Sequence, residues 1–144
     1  MSYPNARTAL ELRLKNGWGT TTPIKWQNVR FDAPVDKNSN PLPYIAFILR
    51  SGVGEDITLG SDNPWQRWTG IVVIQIFTLE NTGMKLATQY AETIKNIYLT
   101  QPRQISYLSS GIIRLFAPYA TEVGNVSGYY QTNVTIPFKR DAQL

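Results

Sequence analysis

From Gly70 to Leu79 the chain runs Gly-Ile-Val-Val-Ile-Gln-Ile-Phe-Thr-Leu, β-branched and apolar almost throughout. Such a run predicts a strand buried on both faces, because a half-solvated strand would alternate apolar with polar residues. Asn81-Thr82-Gly83 then turns the chain directly into a second pattern. Met84, Ala87, Tyr90, Ala91, Ile94, Ile97 and Tyr98 recur at three- and four-residue spacing, which gives a helix one apolar stripe to lay against a sheet. A buried strand followed at once by an amphipathic helix demands a layered fold of sheet and helix.

The rest of the chain fills in those layers. Asn5 can cap a helix over Ala6–Lys15, with Ala6, Leu10 and Leu14 on one stripe and Gly17 ending it. Residues 17–23 then form a connector. A short strand is expected from Ile24 towards Phe31, and Asp32–Pro43, with three prolines, reads as a surface loop. Tyr44–Leu49 is a strong strand, Gly52-Val53-Gly54 a turn, Asp56–Gly60 a shorter strand and Ser61–Pro64 another turn. Beyond the second helix, Gln101-Pro102 is a stop, Gln104–Leu108 and Gly111–Pro118 are strands, and Glu122–Gly128 reads as a turn-rich loop. In Tyr129–Phe138, Tyr130, Thr132, Val134, Ile136 and Phe138 share one face, while Pro137 predicts an edge position or a strand end. The sum is an α+β class: a mainly antiparallel sheet of about five or six strands with two main helices packed on one face. With 144 residues and no internal repeat, one domain spanning 1–144 is expected.

Residue usage removes much chemistry. The chain has no cysteine and no histidine, so it lacks thiolate nucleophiles, disulfides, the commonest general base and the commonest transition-metal ligand. Glu55-Asp56 are the only adjacent carboxylates among ten, and strand neighbours point to opposite faces, so they do not converge on a metal. Ser109-Ser110-Gly111 lacks the pattern of a nucleophile elbow, and no glycine-rich phosphate cradle is present. The reading predicts no enzyme, no cofactor and no small-molecule substrate. No apolar run approaches the ~20 residues of a membrane span, and the opening residues do not read as a signal peptide, so a soluble intracellular product is expected. The net charge of +4 comes from dispersed Lys and Arg, unlike a clustered nucleic-acid footprint. Trp65 and Trp68 flank Arg67 and could stack on bases, but no basic, aromatic-interleaved run surrounds them, which favours an anchor for the central strand or a subunit contact, where Trp and Arg are enriched.

Taken in order, these segments resemble the tail terminator family of long-tailed bacteriophages. The similarity lies in the opening helix with Ala9-Leu10 and Leu14, in Pro23–Phe31 with Pro34 beyond it, and in Tyr44–Leu49. It continues through Leu59-Gly60, Trp68–Ile76, the helix Gly83–Tyr98 and the closing strand with Ile136-Pro137. The resemblance implies a virion protein, assembled in the host cytoplasm, that forms a homohexameric ring on the tail tube. It would stop tube polymerisation, meet the head-completion proteins of the neck, and let DNA pass without sequence readout. The alternatives are a head-completion or neck connector protein, or a small nucleic-acid-binding module. Loops rich in Pro, Gly and Asn suit ring contacts, which selects Asp36, Lys37, Asn38, Glu55, Asp56, Glu122 and Asn125, with Trp65, Arg67 and Trp68, as the candidate assembly interface.

Overall fold

The computed structural model describes residues 3–58, 64–100, 103–106 and 111–143. Its elements are α1 (Tyr3–Trp18), β1 (Ile24–Lys25), β2 (Tyr44–Asp56), β3 (Trp65–Leu79), α2 (Lys85–Leu99), β4 (Gln104–Ser106), β5 (Gly111–Leu115), β6 (Tyr119–Val126) and β7 (Tyr129–Gln143). The seven strands form one sheet in the order β1-β2-β3-β7-β5-β4, with β6 also paired to β7. Among the described strands only β1–β2 is parallel. This is the expected α+β class with more strands than the sequence predicted. The expected ends of two strands (Leu59-Gly60 and Tyr107-Leu108), the turn residues Ser61–Asn63 and the stop at Gln101-Pro102 lie outside the described residues.

One face of the sheet carries the core. Ile45, Phe47 and Leu49 of β2, Val72, Ile74 and Ile76 of β3, and Val134, Ile136 and Phe138 of β7 alternate inward along their strands. Against them lie Ala6, Leu10, Leu14 and Trp18 of α1 and Ala91, Ile94 and Tyr98 of α2, each set at helical spacing. Two polar contacts tie the helices together. The Tyr98 hydroxyl donates to the Leu10 carbonyl at 3.1 Å. Arg13 donates to the carbonyls of Ile97, Tyr98 and Thr100, so a cation sits at the negative end of the α2 dipole. Helix α1 runs past the expected stop at Gly17. Gly17 lies inside the helix because a Cβ there would stand 2.8 Å from Ile97, and Gly19, at φ 61°, turns the chain out.

Among the described residues no layer covers the second face of β3, contrary to the expectation of burial on both sides. Ile71, Val73, Gln75, Phe77 and Leu79 are half-buried, since both helices pack on the opposite face. The described residues roof only one end of this outer face. Tyr44 stacks on Phe77 at 4.6 Å, Phe31 packs on Tyr44 at 5.0 Å, and Tyr129 donates its hydroxyl to the Leu42 carbonyl at 3.2 Å. The proline-rich loop 26–43 is thereby folded onto the sheet.

Four further expectations are corrected by pairing. The first strand stops at Lys25 instead of running towards Phe31; the Gln27 side chain accepts the Leu49 N–H at 2.8 Å where a ladder partner would have been. Gly52-Val53-Gly54 is a bulge within β2, not a turn, because β2 stays paired with β3 on both sides of it. Glu122–Gly128 is mostly strand: β6 pairs with β7 through Val126, and Ser127-Gly128, both at positive φ, make a two-residue hairpin turn. Pro137 lies mid-strand rather than at an edge or end, opposite Ile71. Its carbonyl accepts the Phe116 N–H at 2.9 Å, so its missing N–H faces the unpaired seam between β5 and β6, where no ladder bond is lost.

Candidate assembly surface

The ten residues selected from the sequence fall into three separate places. Asp36, Lys37 and Asn38 sit at the tip of the loop that ends near Tyr44. The Asp36 carboxylate accepts the backbone N–H groups of Asn38 at 2.8 Å and Asn40 at 2.9 Å, together with the Asn40 amide at 3.2 Å. Those bonds hold its pKa below the usual carboxylate value, the backbone bond from Asn40 contributing most. Asp36 thus staples its own loop, with Ser39 at φ 64° completing the turn.

The second group is built by the β2–β3–β7 ladder. Its register places Glu55 opposite Arg67 and Asp56 opposite Gln66, so the two neighbouring acids point to opposite faces. Asp56 accepts the Gln66 amide at 2.9 Å. Arg67 reaches across to Asp141 on β7 with Nε–Oδ1 at 2.7 Å and Nη2–Oδ2 at 2.9 Å. This forked pair, with Arg114 and Lys139 adding positive potential, holds the Asp141 carboxyl below its ordinary range. Trp68 lies on the core face, where the Arg140 guanidinium stacks 4.2 Å from its ring. A Cβ on Gly54 would stand 2.3 Å from the Trp68 Nε1, so the β2 bulge carries glycine because the indole lies against it.

Trp65 and Trp68 are three residues apart on one strand and therefore project to opposite faces. They form no common platform for bases. The third group, Glu122 and Asn125, lies on β6, a strand exposed over nearly all its length. A bulge between Glu122 and Gly124 pushes this edge outward, leaving Val123 half exposed. Among the described residues, no cluster of three metal-ligating side chains occurs, and no helix is long and apolar enough to cross a membrane.

One feature lay beyond sequence reasoning. On the outer face a groove of about 600 Å³ crosses β2, β3 and β7, with Ile71, Thr69 and Pro137 as floor and Phe116 along one side. Arg50 stands at its β2 end and Lys139 at the other, the ammonium 5.7 Å from the Phe116 ring centroid. No motif marks it, because its residues come from three strands and a seam and meet only through register.

The fold and this chemistry-poor surface agree with comparison to known proteins. The sequence profile of the family described as phage tail terminator protein matches residues 5–138. The chain belongs to that family. Membership makes this terminator-family protein a structural component of phage tails. A solved structure superposes with a TM-score of 0.65, covering 100% of this chain and 97% of its own, at 18% identity, a likeness of fold. No curated protein sequence matches the chain. The matched span begins in α1 and ends at Phe138 on β7, so it takes in most of the outer face, the loop around Asp36 and the β6 edge, while Lys139 and Asp141 lie just beyond it.

Proposed function

We propose that this protein terminates the tail tube: a homohexameric ring seats on the last tube ring, stops polymerisation and offers its opposite side to the head-completion protein of the neck. The observation that carries the reading is the family match over residues 5–138, from the first helix to the closing strand. Physical features support it. The surface lacks the residue types most used for catalysis, so the protein acts by contact and not as an enzyme. Its outer sheet face and β6 edge are of the kind that subunit contacts cover. The chain works as one domain, takes no cofactor, and meets DNA only transiently as the genome passes through the ring.

The test is electron microscopy of particles made when the gene carries an early stop codon. Overlong tubes detached from filled heads are expected. Normal-length free tails beside filled heads would move the protein to the head side of the neck, and normal virions would remove it from assembly.

A further inference from the structure

The outer-face groove has a defined chemistry. Its floor is apolar, from Ile71 and Pro137, and a cation stands at each end. Arg50 and Lys139 flank positions two strands apart, a span of roughly 10 Å. Such a site fits an apolar side chain next to a carboxylate. Among the described residues, Glu11, Asp32, Glu92 and Asp141 are ion-paired, Asp36 and Asp56 accept hydrogen bonds, and Glu55 faces Arg67. Glu80 and Glu122 remain. Glu80 lies in the turn before α2 between half-buried Leu79 and polar Asn81, whereas Glu122 adjoins Val123, half exposed on the β6 bulge. Glu122 pairs with Thr132, five residues along β7 from Pro137, so it lies roughly 17 Å from its own groove. It can fill that groove only on another molecule.

We propose that the Arg50–Lys139 groove of one copy receives the Glu122–Val123 bulge of the next copy. The contact joins two different patches and is therefore heterologous, the kind that propagates around a ring. The proposal rests on the ring reading above and supplies its subunit contact. Val123 would cover Ile71 and Pro137, and Glu122 would meet Arg50 where water is largely excluded and the attraction is strengthened.

Absence of native cysteine makes cross-linking clean. Thr69→Cys, on the groove floor, and Val123→Cys are introduced together and singly into the full chain, which is oxidised both as purified protein and in virions. The double variant should give a ladder of multiples of the chain mass in at least one preparation, and each single variant none. Adding Glu122→Arg to the double variant should abolish the ladder, and adding Arg50→Glu as well should restore it, with circular dichroism unchanged throughout. Four results would each overturn the proposal: no ladder in either preparation, dimers from a single variant, a link to a protein of another mass, or no restoration by the charge exchange. A ladder from a protein whose stop-codon particles are normal would keep this contact and reject tube termination. Terminated tails without a ladder would do the reverse.

Discussion

Arg67 and Asp141 are separated by 74 positions in the chain, yet their side chains meet through two parallel hydrogen bonds. The pair fastens the start of β3 to the end of β7. Its pH dependence follows from the depressed Asp141 pKa. A carboxyl whose folded pKa lies below its unfolded value near ~3.9 adds stability above that value and loses it as pH falls through the folded pKa. Asp141→Asn should therefore lower the melting temperature at pH 7 and leave the variant and parent nearly equal at the acid end. Thermal melts across a pH series check this; an equal deficit at every pH would contradict it.

Gly70 has no room for a side chain. An added Cβ would stand 2.5 Å from the Phe138 Cζ and 2.9 Å from the Arg50 carbonyl oxygen, one of which is backbone. Gly70→Ala should therefore cost about 1–3 kcal/mol, since neither β2 nor the buried Phe138 ring can withdraw freely. Urea unfolding with an unchanged slope measures it.

Legibility in the sequence followed the range of the forces that decide each element. The Gly70–Leu79 run and the Met84–Tyr98 stripe were readable because both are local periodicities tied to burial. The Gly52–Gly54 and Glu122–Gly128 segments were misread for one reason. Their glycines and polar residues look like turns, but Gly52 and Gly54 are small because Thr69 and Trp68 lie opposite, and β6 is a strand because β7 pairs with it. The uncovered outer face was invisible too, since an apolar strand reads the same whether its second face meets a helix or awaits another molecule. Of the candidate surface, Glu55, Arg67, Glu122 and the tryptophans were singled out from composition. Asp141, Arg50 and Lys139 were not, because only register brings them to the same places.

The junction of the two helices makes a third test. Tyr98 is fully buried, and burial pushes its phenol well above the ordinary range, so it stays a neutral donor to the Leu10 carbonyl. Tyr98→Phe keeps the ring and removes the bond, at a cost of about 1 kcal/mol, or a melting shift of about 3 °C. Arg13→Met removes donors from three carbonyls at the end of α2 and should cost more, about 2 kcal/mol. Hydrogen exchange separates the two: Arg13→Met should speed exchange selectively in the last turn of α2, whereas Tyr98→Phe should not.

The roof over the outer face supplies the last. Loop 26–43 is held to the sheet by Phe31 on Tyr44 and by the Tyr129 bond to Leu42, while the Asp36 staple organises only the loop's own tip. Phe31→Ala should therefore release the loop as a unit at a cost of about 1 kcal/mol, and Asp36→Ala should loosen the tip without detaching it. Limited proteolysis distinguishes these outcomes. Phe31→Ala should open cleavage at Arg30 and Lys37 alike, whereas Asp36→Ala should raise cleavage at Lys37 alone. Equal protection of both sites in Phe31→Ala would mean that the ring contact does not hold the loop, leaving the Tyr129–Leu42 and Gln27–Leu49 bonds as its anchors.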